Sequence, residues 1–258
     1  MSSIITELQG AVFIIRLNRP EKFNSFNREM AIAMQDALDK ATSDPSVRAL
    51  YITGIGKAFC AGQDLSEAID PNGPGIEKIV YEHYNPIILK IRNLEKPVIC
   101  GVNGVAAGAG ANIALACDII LAAHSASFIQ AFSKIGLIPD SGGTFILPRL
   151  IGYQRAAALM MTGDKLTSDD AVAWGLITKV TGDGELQEEA MNMALRLADM
   201  PTVGLGLTKR LLNMSFTNSY EQQLEMEGKM QVIAAASADY HEGVNAFLEK
   251  RKPQFTGK

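Results

Sequence analysis

The residues of this chain that could carry chemistry are two loops rich in small residues and one aspartate. The first loop, Lys57–Leu65 (KAFCAGQDL), follows a predicted strand, and the second, Gly101–Asn112 (GVNGVAAGAGAN), joins a predicted strand to a predicted helix. Small residues let a ligand approach the main chain closely, and N–H groups at a helix start have no acceptor within the helix. Two such loops can direct two N–H donors at one oxygen, which stabilises an enolate or a tetrahedral oxyanion. Because glycine and alanine also permit close helix–strand packing, a purely structural role for the second loop stays possible.

The aspartate is Asp140, in the segment Ile138–Thr144 (IPDSGGT) at the start of a predicted helix. An aspartate before two glycines can cap a helix, and a positioned aspartate can also take a proton from carbon near a carbonyl and return it elsewhere. Burial would raise the pKa of Asp140 and a helix N-terminus would lower it, and the sequence leaves both outcomes open.

Common catalytic motifs are missing from the sequence. It contains neither a Walker A motif nor a G-x-S-x-G motif. Its histidines, His83, His124 and His241, do not have the spacing of metal ligands. These observations disfavour a histidine triad or a zinc hydrolase, and we expect no metal.

The hydrophobic patterns predict an α/β core followed by helices. Strands are predicted at 12–17, 49–53, 97–102 and 118–122, and helices at 27–42 (capped by Asn27) and 76–93, the latter kinked or divided by Pro86. After Gly142 the pattern becomes helical and stays helical, with helices at 186–199, 201–213, 219–236 and 238–250. We therefore divide the chain into an α/β core, 1–200, and a helical C-terminal region, 201–258. The latter can pack on its own core or on a neighbouring subunit.

Composition limits the possible partners and the compartment. The 258 residues are 47% hydrophobic and carry a net charge of −4, which fits a globular protein and disfavours nucleic acid and anionic membranes as partners. Three cysteines stand far apart, which favours a reducing compartment. The N-terminus lacks the pattern of a signal peptide, and no apolar run reaches the ~20 residues that span a bilayer. We predict a cytoplasmic protein.

Five segments in order along nearly the whole chain resemble the crotonase family, the enoyl-CoA hydratase/isomerase superfamily. They are Leu17–Ser25, Ala58–Leu65, Lys96–Gly104, Gly136–Thr144 and Glu242–Arg251. The resemblance implies a spiral of β-β-α turns, with a helical C-terminal region that forms trimers and often a dimer of trimers. It also implies an acyl-CoA thioester as substrate, so that coenzyme A is part of the substrate and no separate cofactor is needed.

The resemblance also assigns roles to residues. It places the oxyanion hole at the backbone N–H groups of Gln63 and Ala109. Residues expected near coenzyme A are Lys22, Lys57, Ala61, Asp64, Leu65, Phe247 and Lys250, the last two from the same or an adjacent subunit. We expect Tyr84, Asn112, Phe132 and Ile135 to line the acyl pocket.

The resemblance separates this chain from the hydratases of the family. Those enzymes use two glutamates, and the matching positions here are Asn112 and Phe132. Water addition needs an acid/base pair, which an amide and a phenyl ring cannot provide. Asp140 is then the catalytic acid/base, and the chain is expected to be an isomerase rather than a hydratase.

Several segments, including Phe59–Leu65, Val105–Ala111 and Ala131–Asp140, are similar to one subgroup, the isomerases of bacterial phenylacetate breakdown. These convert ring-1,2-epoxyphenylacetyl-CoA to oxepin-CoA and also shift double bonds in unsaturated acyl-CoAs; Ser141 stands where they tend to have cysteine. Three other interpretations are a Δ3–Δ2 enoyl-CoA isomerase (or a weak enoyl-CoA hydratase) of fatty-acid breakdown, a dehalogenase-like enzyme with Asp140 as nucleophile, and a non-catalytic scaffold that binds acyl-CoA or RNA.

Overall fold

Ten strands form two sheets in the computed structural model of the chain, which describes residues 2–258. The large sheet has the order β1-β2-β3-β5-β7-β10, and only β1 runs antiparallel to its neighbour. Its strands are β1 (Ile4–Gln9), β2 (Val12–Leu17), β3 (Ala49–Gly54), β5 (Val98–Val102), β7 (Ile119–Ala123) and β10 (Lys179–Thr181). Every residue of β3 and β5 is buried, as expected for central parallel strands covered on both faces.

The small sheet has the order β4-β6-β8-β9, with β8 and β9 antiparallel. Its strands are β4 (Ala58–Cys60), β6 (Val105–Ala107), β8 (Ser127–Ile129) and β9 (Lys165–Thr167). Along the chain β3 is followed by β4, β5 by β6, and β7 by β8, so each pair gives one strand to each sheet. Helical segments return the chain to the large sheet after β4 and β6, whereas the helices after β8 lead first to β9 of the small sheet. This repeated order is the expected spiral of β-β-α turns.

Helices connect the turns of the spiral and form the C-terminal region. They are α1 (Arg28–Ser43), α2 (Leu65–Ala68), α3 (Gly75–Lys78), α4 (Asn85–Asn93), α5 (Ala109–Leu115), α6 (Gly143–Ile151), α7 (Tyr153–Thr162), α8 (Ser168–Ala173), α9 (Leu186–Ala198), α10 (Thr202–Met214), α11 (Tyr220–Ala235) and α12 (Ala238–Leu248). Short 3₁₀ helices cover Pro20–Lys22 and Ala131–Ile135. The predicted cap of α1 is confirmed, because the Asn27 side chain accepts a hydrogen bond from the Met30 N–H at 3.0 Å.

The predicted helix at 76–93 is not divided at Pro86, because the backbone stays helical from Gly75 to Asn93. It changes type just before the proline: residues Ile79–Tyr84 form π-helical turns between α3 and α4, and Pro86, which has no N–H to donate, follows in the first turn of α4. Single π-helical turns often occur at functional sites. Here the wide turns carry Ile79 and Tyr84, which both border a cavity.

The C-terminal region is anchored to the core of its own chain through α10. The Lys209 ammonium is buried, lies 2.8 Å from the Asp118 carboxylate and donates to the Ile91 carbonyl at 2.7 Å. The Arg48 guanidinium donates to the carbonyls of Met200 and Phe255. By contrast, α11 exposes most of its side chains and buries only Met230.

The prediction of an all-helical chain after Gly142 was wrong, because β9 and β10 lie in that part. Each has three residues, which is too short to give a period-two pattern, and each forms at the edge of a sheet that already exists. Strand β1 was missed because five of its six residues are exposed. Within residues 2–258, no helix combines the length and hydrophobicity needed to span a membrane.

Candidate active site

A cavity of about 240 Å³ lies between the two loops rich in small residues, the π-helical turns and the segment that leads to α6. Eight of the predicted site residues line it: Ala61, Gln63, Leu65, Tyr84, Ala109, Phe132, Ile135 and Asp140. Lining residues that the sequence did not indicate are mainly apolar, such as Ile76, Ile79, Val80 and Leu137. These residues look like ordinary core positions in the sequence, and only the fold shows that they face the cavity.

The two loops meet at Gly62 and Ala109. Gly62 has φ of 93°, and a Cβ added there would lie 3.0 Å from the Ala107 carbonyl oxygen and 3.6 Å from the Ala109 nitrogen. A side chain at position 62 would therefore press on the second loop beside the Ala109 N–H. The glycine serves close approach of the two main chains.

Each loop presents one N–H group that needs an acceptor. Ala109 is the first residue of α5, so its N–H has no acceptor inside the helix. Gln63 lies opposite Phe26 in a short parallel bridge. Phe26 bonds the two residues next to Gln63: its N–H donates to the Gly62 carbonyl, and its carbonyl accepts from the Asp64 N–H. Because successive N–H groups of an extended chain point to opposite sides, the Gln63 N–H points away from Phe26. Both residues border the cavity.

Glycines also explain how α5 reaches this position. A Cβ added to Gly110 would lie 2.4 Å from the Cys60 carbonyl oxygen, so α5 starts in direct contact with β4. The structural interpretation of the second loop therefore applies at Gly110, next to the residue expected to donate to an oxyanion. Gly110 serves close packing, and Ala109 presents its N–H at the cavity.

The Gln63 side chain does not enter the cavity freely, because both ends of its amide are bound. Its Oε1 accepts from the Tyr84 hydroxyl at 3.0 Å, and its Nε2 donates to the Glu67 carboxylate at 3.0 Å. Burial, followed by smaller effects of nearby acidic groups that include Asp140, raises the pKa of Tyr84 well above its ordinary value. Tyr84 is therefore a neutral donor that holds the first loop in place.

Asp140 lies half-buried on the cavity wall, three residues before α6. Gly142, with φ of 74°, takes the N-cap position of α6 without a side-chain bond, so the Asp140 carboxyl is not used for capping. The Ser141 hydroxyl donates to its Oδ1 at 2.8 Å. Burial outweighs this bond and raises the pKa of Asp140 above its ordinary value, which suits a group that must both take and return a proton.

The two positions that carry glutamate in hydratases hold no acid here. Phe132 borders the cavity, whereas Asn112 is fully buried one layer behind it, where its amide contacts the main chain of Asp140. Asn112 was expected on the pocket wall and does not lie there. Among the residues from 2 to 258 that line this cavity, Asp140 is the only acidic one.

The residues expected near coenzyme A are only partly brought together. Ala61 and Leu65 border the cavity, while Lys22 and Lys57 lie exposed on the surface beside the first loop. Asp64 pairs with Arg19 at 3.0 Å and caps α2 through the Ser66 N–H. The hydrogen bond from the Ser66 hydroxyl is the largest factor that lowers the pKa of this carboxyl.

Phe247 and Lys250 lie apart from this cavity within one chain. Phe247 is 83% exposed at the end of α12 and borders a different, apolar cavity of about 420 Å³ formed by the C-terminal helices. Lys250 is exposed just after that helix. A single chain therefore does not bring these two residues to the site formed by the other predicted residues.

Comparison with known proteins gives a consistent result over the full length. The enoyl-CoA hydratase/isomerase family matches residues 7–258. The chain is 48% identical over 261 aligned residues to 1,2-epoxyphenylacetyl-CoA isomerase of Escherichia coli, with all of both chains covered. It is 36% identical to trans-2-decenoyl-(acyl-carrier-protein) isomerase of Streptococcus mutans, covering 99% of this chain and 98% of the relative.

Solved structures agree with these relatives. The crystal structure of enoyl-CoA hydratase from Bacillus anthracis superposes with a TM-score of 0.95 at 32% identity, covering 99% of this chain and 100% of that one. The fold, the two converging loops and the full-length similarity lead to one conclusion: the chain belongs to the enoyl-CoA hydratase/isomerase family.

Proposed function

We propose that the chain is an acyl-CoA isomerase in which Asp140 moves a proton on a thioester held by the N–H groups of Gln63 and Ala109. The observation that carries this proposal is the single acidic residue on the cavity wall. A hydratase must hold and activate a water molecule with an acid/base pair, whereas an isomerase can remove and return a proton with one group.

In the proposed mechanism the thioester oxygen lies between the two N–H donors. The ionised Asp140 takes a proton from the carbon next to the carbonyl, and negative charge moves onto the thioester oxygen. Each N–H donor then contributes roughly 3 kcal/mol to the stability of the enolate. Asp140, now protonated, returns the proton at another carbon, and the apolar wall with Phe132 and Ile79 limits competing reactions with water.

The acyl group we favour is the ring-1,2-epoxyphenylacetyl group, which would be converted to oxepin-CoA in phenylacetate catabolism. The name of the Escherichia coli relative, at 48% identity over both full lengths, supports this choice. The apolar cavity wall suits an aromatic ring. A shift of double bonds in unsaturated acyl thioesters is the second candidate, supported by the Streptococcus mutans isomerase.

Coenzyme A enters this proposal as part of the substrate. Lys22 and Lys57 are exposed beside the first loop, where cationic side chains can meet its phosphates. Ala61 and Leu65 line the cavity, and in this proposal they contact the pantetheine arm that leads to the thioester. No separate cofactor is required for proton transfer by a carboxylate.

We further propose a homo-oligomer, a trimer or a dimer of trimers, in the cytoplasm. Large apolar side chains are exposed on the C-terminal helices, among them Val232, Phe247 and Leu248. An adjacent subunit packed there could bring Phe247 and Lys250 to a neighbouring site. Light scattering after size exclusion measures the mass directly, and a monomer would contradict this part. The three cysteines are unpaired and buried, which suits a reducing compartment.

The test is a substrate panel on the wild type, Asp140→Asn and a control, Asp36→Asn, which changes an exposed carboxylate on α1. We expect wild type and control to isomerise epoxyphenylacetyl-CoA and 3-enoyl-CoA and to hydrate crotonyl-CoA only weakly. Asp140→Asn should lose about 10²–10⁴-fold in isomerisation. Isomerisation by Asp140→Asn at the wild-type rate would refute the mechanism, and fast hydration of crotonyl-CoA would refute the argument from the missing glutamates.

A further inference from the structure

The Asn112 side chain, behind the cavity, is hydrogen-bonded at both ends of its amide. It is fully buried, its Nδ2 donates to the Asp140 main-chain oxygen at 2.8 Å, and its Oδ1 accepts from Gln130 Nε2 at 2.8 Å. Asn112 itself does not border the cavity. Its contacts therefore point to an effect on the catalytic loop rather than on substrate.

The direction of this amide follows from its neighbours. The Asp140 main-chain oxygen can only accept hydrogen bonds, so Asn112 must turn its NH₂ group toward it. The oxygen of the Asn112 amide then faces Gln130, which must supply its own NH₂ group. The Asp140 carbonyl thus fixes the orientation of the Asn112 amide, and the Gln130 NH₂ group holds the other end of that amide.

The Asp140 carbonyl is held from two sides. Besides the bond from Asn112, it accepts the Gly143 N–H at 2.9 Å, so both of its lone pairs are used. A Cβ at Gly143 would lie 2.5 Å from Asn112 Nδ2. The glycine therefore leaves the space in which the amide reaches the carbonyl.

Helix α5 connects this contact to the other half of the site. Ala109 and Asn112 are three residues apart on α5, and residues at this spacing lie on the same side of a helix. One rigid helical turn therefore carries both the N–H donor at the cavity and the group that holds the Asp140 main chain.

We propose that Asn112, held at its other end by Gln130, is a positioning residue that fixes Asp140 relative to the oxyanion hole by bonding its main-chain carbonyl. This inference rests on the proposed function of Asp140. It gives the asparagine a role of its own at a position where hydratases have a catalytic glutamate. A glutamate there would place an acceptor against the Asp140 carbonyl and an extra methylene against Gly143.

The test compares Asn112→Ala with Thr53→Ala, measuring kcat, KM and the pH profile of kcat/KM on a 3-enoyl-CoA. Thr53 is a matched control because it is also fully buried and donates to a main-chain oxygen, that of Gly101, at 2.8 Å, but it does not border the cavity. A second variant, Asn112→Asp, keeps the shape of the side chain in case the alanine variant does not fold.

In Asn112→Ala we expect kcat to fall about 10–100-fold, because small misplacements of a catalytic group have effects of this size. KM should change little, because the thioester donors remain, and Thr53→Ala should keep the wild-type kcat. The titratable side chains that share the cavity wall with Asp140 are Tyr84 and Lys134, and both are unchanged in these variants.

The acidic limb of the pH profile separates positioning from a general loss of stability. A loosened Asp140 gains water, which lowers its pKa and moves the limb to lower pH in Asn112→Ala. In Asn112→Asp the added negative charge raises the pKa of Asp140 and moves the limb to higher pH. A loss of stability alone would leave the acidic limb at its wild-type position in both variants.

The inference is overturned if the folded Asn112 variants keep the wild-type kcat while Asp140→Asn is inactive. It is also overturned if Thr53→Ala loses as much kcat as Asn112→Ala. Retention of isomerisation by Asp140→Asn would instead refute the proposed function, so the two failures can be told apart.

Discussion

Replacement of Ala109 by proline would remove one proposed oxyanion donor with little change to the fold. Ala109 is the first residue of α5, where its N–H has no acceptor in the helix. Proline is common at this position because its φ suits the first helical turn. The preceding residue, Gly108, has φ of 54° and ψ of −129°, outside the helical region that a following proline disfavours.

The expected effect on catalysis is large and the expected effect on stability is small. Loss of one oxyanion donor costs about 2.7–4 kcal/mol in the transition state, or about 10²–10³-fold in kcat. No backbone hydrogen bond is lost from α5 itself, and the change adds only a small ring at a nearly buried residue. We therefore expect the free energy of unfolding to change by about 1 kcal/mol or less.

The assay measures kcat and KM for isomerisation of a 3-enoyl-CoA by wild type, Ala109→Pro and Ala109→Gly. The glycine variant is the control because it changes the side chain, by removing the methyl group, while it keeps the N–H. Urea unfolding of all three proteins checks that their stabilities stay close.

A proline variant that folds normally and keeps the wild-type kcat would refute the role of the Ala109 N–H. A glycine variant that loses as much activity as the proline variant would refute it too, because the loss would then follow the side chain. Loss confined to the proline variant supports main-chain stabilisation of the enolate.

Three further predictions concern other parts of the structure. Burial raises the pKa of Asp140 in the folded state, so the stabilisation from its bound proton is present at low pH and is lost as pH rises through that raised pKa. At neutral pH we therefore expect calorimetry to show a higher melting temperature for Asp140→Asn than for the wild type. A lower melting temperature would contradict this reasoning. Gly110→Val would place a Cβ 2.4 Å from a main-chain oxygen of β4, so we expect it to lower the free energy of unfolding in urea by about 1–3 kcal/mol and to reduce kcat. Gly228→Ala is the control, because a Cβ there meets nothing within 4 Å; it should keep the wild-type free energy of unfolding and kcat. Lys209→Met removes the buried ammonium that pairs with the partly exposed Asp118 carboxylate, and it should cost about 1.5–3 kcal/mol in urea unfolding. A second change, Asp118→Asn, should recover much of this loss, and no recovery would contradict the ion-pair explanation.

Local sequence determined the central strands and the long helices. The boundaries of β2 and α1 are close to those predicted, because continuous apolar runs and a capping asparagine act within a few residues. The irregular turns before Pro86 have a local cause too, since a proline has no N–H with which to continue the α-helical hydrogen bonds. The three-residue strands of the small sheet could not be predicted in this way, because their pairing depends on distant neighbours.

The site shows the same division between what is local and what is tertiary. The sequence by itself determined the residue types: small loops that expose main-chain N–H groups, one aspartate, and no glutamate at two positions where hydratases have one. Only the tertiary structure decided that the loops meet at Gly62, that burial outweighs the Ser141 hydrogen bond in setting the pKa of Asp140, and that Asn112 lies behind the cavity. The physical reason is that these properties depend on distances between segments far apart in the chain, which a local pattern does not contain.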